Sequence, residues 1–117
     1  MIANSIEEVI SYLDKIIQSC KEKSSRMGYF ASLYRAMTAG VQTGIAQGAF
    51  EDGPRMERLD VTFANRYLDA YTTYISGKQT THSWMHAFVA SEQTNLTVVQ
   101  HLLLGINAHI NLDLGIA

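Results

Sequence analysis

The stretch SIEEVISYLDKIIQSCKE, residues 5–22, decides the fold class. Ile6, Val9, Ile10, Leu13, Ile16, Ile17 and Cys20 recur at steps of three and four, which places them on one face of a helix. Ser5 ahead of that run and Glu8 within it form a capping box, in which side chains satisfy the open N–H groups of a helix start. The spacing therefore predicts a helix over about 6–22, ended by Lys21, Glu22, Lys23, Ser24 and Ser25. Phe30, Leu33, Tyr34, Met37, Val41 and Ile45 continue the pattern to about Gly48. Gly40, Gly44 and Gly48 stand four apart in this second helix. An interior glycine costs about 1 kcal/mol against alanine, so the line predicts a neighbouring backbone packed close, with a loosely held helix end as the alternative.

Glu51-Asp52-Gly53 marks a loop, and Pro54 suits the first turn of a third helix that runs to about Ser76, with Gly77 as its stop. A shorter helix surrounds Trp84, Phe88 and Val89, and a last one begins near Leu96 behind Thr94 or Asn95. The expected architecture is all-α: a bundle of about five helices forming one domain over residues 1–117.

Composition narrows the function. One proline and 117 residues argue against a sandwich or barrel, which needs frequent turn signals. Nine Lys and Arg against eleven Asp and Glu leave a net charge of −2, so no basic field is present to hold a phosphate backbone, and nucleic acid is not an expected partner. Cys20 is the single cysteine and has no disulfide partner within the chain, and the acidic start does not read as a signal peptide. A cytoplasmic location is expected. Cys20 reads as a small core residue on the apolar face of the first helix rather than a nucleophile.

The closing segment LTVVQHLLLGINAHINLDLGIA, residues 96–117, is apolar but is interrupted by Gln100, His101, Asn107, His109, Asn111 and Asp113, too often for a membrane span. It reads as a buried central helix. Because no polar tail follows it, we expect another polypeptide to cover it, either a symmetric copy or a separate chain.

At about 100° per residue, His101, Gly105, His109 and Asp113 share one diagonal of that helix, while Asn107 and Asn111, with Gln100, form a second polar stripe. His109 and Asp113 can share a divalent metal or form a carboxylate–imidazole pair. His101 lies about 12 Å of helix rise from His109, so a cleft flanked by both is easier to build than one tetrahedral site. On the third helix, Asp60 falls inside the apolar arc of Met56, Phe63, Ala64, Tyr67, Tyr71 and Tyr74. An inward carboxyl either pairs with Arg35, Arg66 or a histidine, or has its pKa raised as in general acids. Asn65, Arg66 and Asp69 point further away, toward a solvated face, and the tyrosines read as core with wet hydroxyl ends. His82 and His86 have metal spacing at a helix start but read as surface residues.

RMERLDVTFANRYLDAY from Arg55, the segment around Trp84 and Ala87-Phe88, and VQHLLLGINAHINLDLGIA together resemble a bacterial family known as domain of unknown function 5995. The resemblance implies an all-helical protein with no assigned activity. Its signature includes Asp60, Asn65, Arg66, Tyr67, Trp84, His101, Gly105, Asn107, His109, Asn111 and Asp113. Members look longer than this chain, so the resemblance also implies that residues 1–117 are the N-terminal part of a longer domain or one half of a split protein. A fainter likeness links the His–Gly–His–Asp line with all-helical zinc phospholipases and nucleases, as analogy.

Two functions follow as expectations. In the first, the chain is an enzyme of hydrolase, lyase or cyclase type. Asp60, His101, His109 and Asp113 are then its catalytic groups, and His109 and Asp113 its metal ligands if a divalent ion is bound. Asn107, Asn111, Asn65, Arg66, Tyr67 and Trp84 contact the substrate. In the second, the same polar stripes form a satisfied network in a non-catalytic assembly or small-molecule-binding module. Either way, the uncovered apolar segment predicts a homo-oligomer or complex. The mass measured by light scattering on the eluting protein should exceed the 13.0 kDa of one chain, and a 13.0 kDa monomer would contradict the covering partner.

Overall fold

Ser5 caps the first helix as its sequence predicts, its Oγ accepting the Glu8 N–H at 3.2 Å. The helix, α1, spans Ile6–Glu22 and buries Ile6, Val9, Leu13, Ile16 and Cys20. The computed structural model describes residues 2–91, and the helix expected from about 96 lies outside them. Among the described residues, three further helices follow: α2 over Gly28–Ala46, α3 over Gly53–Ile75 and α4 over His82–Ser91. They contain no strand, and no helix among them is long and apolar enough to cross a membrane.

The helix ends have local causes. Backbone bonds from Ala49 N–H to the Gly44 carbonyl and from Lys78 N–H to the Thr73 carbonyl close α2 and α3, with Gly48 (φ +71°) and Gly77 (φ +84°) at the left-handed position that glycine takes without steric cost. Ser24 occupies the same position after α1 at φ 54°, where a side chain is strained. Asp52 caps α3 by accepting the Arg55 N–H at 3.1 Å, with Pro54 in the first turn.

α1, α2 and α3 run up, down and up. The start of α2 lies against the end of α1, where a methyl added at Gly28 would come within 3.0 Å of Cys20 Cβ. Gly53 at the start of α3 lies beside Ile45 at the end of α2, and the Tyr34 and Phe63 rings meet midway at 6.3 Å. Beyond these, α4 joins the bundle through aromatic rings. Trp84 stands edge-on to Phe30 at 5.5 Å, lies 5.1 Å from Tyr67 and stacks on Phe88 at 5.2 Å.

One expectation about α2 is corrected, and another is not met among the described residues. No backbone packs along the glycine line among the described residues. Gly44 makes room for the Phe50 ring, which would sit 2.9 Å from an added Cβ; Gly48 serves the helix stop; and a Cβ added at Gly40 would meet nothing within 4 Å among the described residues. The buried face is also rotated. Phe30, Ala31, Tyr34 and Thr38 are inside, whereas Met37 is 56% exposed. Thr38 can be inside because its hydroxyl donates to the Tyr34 carbonyl at 2.9 Å, which removes the cost of burying it.

Leu68 is wholly buried on the α3 face in the same core as α1 and α2. Leu68→Ala should therefore lower stability by about 2–5 kcal/mol in urea unfolding. A loss under about 1 kcal/mol would mean that this face of α3 is not packed as described.

Candidate functional site

Asp60 precedes Ala64 and Tyr67 by one and two turns of α3, and both of those are buried, so helix periodicity turns its carboxyl inward. Asp60 is half-buried, and its Oδ2 is shut off from solvent with no hydrogen-bond donor among the described residues. Burial pushes the carboxyl up to about 6, with the nearby charge of Glu57 adding to the rise. Neither arginine considered from sequence is its hydrogen-bond partner. Arg35 is committed to Asp14 across α1 and α2, and Arg66 lies half-buried further along α3.

Glu57 and Asn65 flank Asp60 along α3 and tie down the start of the chain. Glu57 Oε2 accepts the Ile6 N–H at 3.2 Å, so the third helix caps the first. Asn65 holds Ala3 from both sides: its Oδ1 accepts the Ala3 N–H at 2.8 Å and its Nδ2 donates to the Ala3 carbonyl at 2.9 Å. No sequence pattern singles out Glu57 or the Asn65–Ala3 pair, since each depends on an approach between segments more than fifty positions apart. The one local signal was a second carboxyl a single turn before Asp60.

Residues 6–117 match the family described as a family of unknown function, DUF5995. The chain belongs to that family. No curated protein and no solved structure matches it. Of the signature residues seen in the sequence, the structure describes five, all on α3 or α4. Asp60, Asn65 and Arg66 are half-buried along α3, whereas Tyr67 and Trp84 are each 1% exposed, so their surfaces are taken up by packing. His101, Gly105, Asn107, His109, Asn111 and Asp113 lie outside the described residues, as do the side chains of His82 and His86. Among the described residues no group of three or more His, Cys, Asp or Glu could hold a metal ion.

Two cavities open elsewhere. One of about 390 Å³ at the α1–α2 turn is lined by residues including Cys20, Lys21, Ser25, Arg26 and Tyr29; the other, of about 150 Å³, lies beside Ile6, Gln42 and Glu57. Asp60 lines neither. Cys20 is buried with its Sγ 4.0 Å from the Tyr71 hydroxyl, and burial raises its pKa, which keeps the thiol protonated and unreactive. That agrees with its reading as a core residue.

The raised pKa of Asp60 makes a stability prediction. The folded chain holds a proton there up to about 6, against an ordinary value of 3.8, so its contribution is full at low pH and is lost as the pH rises through about 6. Asp60→Asn removes that loss. It should gain on the order of 1 kcal/mol over the native chain at about pH 8, a figure discounted for the carboxyl's solvent exposure, and nothing at about pH 3.5. Urea unfolding at the two pH values measures the difference, and an equal effect at both would show that ionisation of Asp60 is not its source.

Proposed function

We propose that the protein is a helical enzyme acting on a small molecule, with Asp60 as an acid–base group. The observation that supports this reading is a half-buried carboxyl whose Oδ2 is solvent-excluded and has no donor among the described residues, with a pKa of about 6. A carboxyl of that kind can give up a proton and take one back near neutral pH, which is the range in which general acids and bases work best. In this reading His109 is the base or metal ligand, Asp113 orients it, and His101 is the second acid–base group. Asn107 and Asn111 donate to a substrate oxygen, while Arg66 on α3 offers a charge for an anionic substrate group. Asn65, Tyr67 and Trp84 act from behind by holding the wall of the cleft. The reaction is hydrolysis if His109 and Asp113 hold a divalent ion that activates water, and otherwise a proton-transfer reaction of the lyase or cyclase type.

The same proposal places the closing segment as a fifth, buried helix, completed by a second copy or a separate polypeptide, in a cytoplasmic protein that binds neither nucleic acid nor membrane. A second reading, a non-catalytic binding or assembly module, draws support from Asn65, whose amide oxygen and nitrogen both go to Ala3, and from the burial of Tyr67 and Trp84 in packing.

The two readings separate in a screen of small phosphoesters, carboxylic esters and lactones with purified protein, with and without added zinc or manganese. The enzyme reading expects turnover that falls by about 10²-fold or more in His109→Ala, with the helical circular dichroism retained. It also expects a pH profile with a limb near 6 that Asp60→Asn removes. Turnover that survives His109→Ala, or a profile unchanged by Asp60→Asn, removes that residue from the mechanism.

A further inference from the structure

We propose that two copies of this chain pair antiparallel through the outer face of α2, with the acidic loop at Glu51 and Asp52 of each copy meeting Lys21 and Arg26 of the other. The oligomer expected from the closing segment uses a different surface, and the pairing on α2 stands whether or not the protein is an enzyme.

The outer face of α2 carries no charge. Tyr29, Ser32, Ala36, Gly40 and Thr43 are exposed and recur at steps of three and four, which makes them one stripe, and Met37 beside them is 56% exposed. Arg35, the single charged residue of α2, is turned to α1, where it pairs with Asp14. The neighbouring helices differ. α1 exposes Glu7, Asp14, Lys15, Lys21 and Glu22, and α3 exposes Arg55, Arg58 and Asp69. A helix face turned to water is ordinarily charged or polar, so about four turns with Tyr29, Ala36 and Met37 on them suit contact with protein. Gly40 points the same way. Glycine weakens a helix interior, and a Cβ built at Gly40 meets nothing within 4 Å among the described residues, so the chain itself gives the missing side chain no packing role there. Between two helices that gap lets the backbones approach.

The two ends of the stripe carry opposite charge, which selects the occupant. Residues 21–26, ahead of α2, hold Lys21, Lys23 and Arg26 against Glu22, which accepts a hydrogen bond from Gln18. Lys21 and Arg26 line the cavity of about 390 Å³ that also reaches Tyr29 and Ser32, so this positive charge borders the stripe. Residues 47–54, beyond α2, hold Glu51 and Asp52 and no base. The Phe50 ring lies against Gly44 in the last turn of α2, which keeps the acidic pair at the far end. Parallel copies would set like charge against like. A two-fold axis between Ala36 and Gly40 instead makes the pairing antiparallel, lays Gly40 of one copy against Ala36 of the other, and brings Arg26 to the acidic loop twice over. Charge at the ends thus fixes the direction and register of the pair, while the uncharged stripe supplies the contact.

The test is the mass of the full chain by sedimentation velocity at low salt across about 1–200 µM, because an interface one helix wide is at the small end for stable association and points to a Kd of about 10 µM. Gly40→Glu puts a charge at the crossing while raising the helix propensity of α2, so at about 100 µM it should halve the mass with the circular dichroism unchanged. Arg26→Glu and Glu51→Lys should each weaken pairing about tenfold, since the contact occurs twice by symmetry, and both together in one chain should return the Kd to within about threefold of the native value. Asp52 is left in place because it caps α3. A native chain that stays monomeric through this range would overturn the proposal. So would a mass untouched by Gly40→Glu, which would assign any oligomer to the closing segment or to another face. A double variant that pairs no better than its parents would overturn the antiparallel arrangement and the proposal with it.

Discussion

Tyr67 joins three helices at once. Its ring lies 5.0 Å from Phe30 and 6.0 Å from Tyr34 on α2, 6.4 Å from Tyr71 on its own helix and 5.1 Å from Trp84 on α4. Aromatic rings at these separations combine large apolar burial with a preference for tilted and edge-on geometry, so the cluster fixes how far α3 is rotated about its axis. Everything else on α3 inherits that rotation. Leu68 and Ala64 turn to the core, Asn65 meets Ala3, and Asp60 is carried partly inside. Burial of the Tyr67 ring also drives its hydroxyl pKa well above the ordinary value.

The cost of that rotation falls on Asp60. A carboxyl drawn out of water resists ionisation, and Glu57 one turn earlier adds to the resistance. An asparagine or leucine at position 60 would relieve it, since neither side chain ionises. The aspartate instead costs the fold some stability above about pH 6. Asn65 shows the opposite economy, since both ends of its amide are matched to one backbone residue and nothing is left strained.

Much of the fold was legible in the chain. The run from Ser5 to Glu22 carried α1 with its cap, Gly77 carried the end of α3, and Asp60 stood out as a carboxyl inside an apolar arc. These are local signals, set by spacing and by the backbone freedom of single residues. Spacing alone does not suffice where a residue's surroundings decide. Met37 fits the apolar period of α2 and is nonetheless outside, while Thr38 is inside because it can spend its hydroxyl on the preceding turn. Gly40 and Gly44 have the spacing of a close helix contact, yet Gly44 receives a ring from the following loop and Gly40 receives nothing among the described residues.

The sequence by itself determined that the chain is helical, where α1 and α3 begin and end, and which carboxyl is anomalous, because periodicity and capping act within a few residues. Only the tertiary structure decided that Asn65 serves Ala3, that Glu57 caps α1 and that Trp84 is core. Those facts depend on segments distant along the chain being brought within 3–6 Å of each other, and no local pattern encodes which donor will meet which acceptor across such a gap.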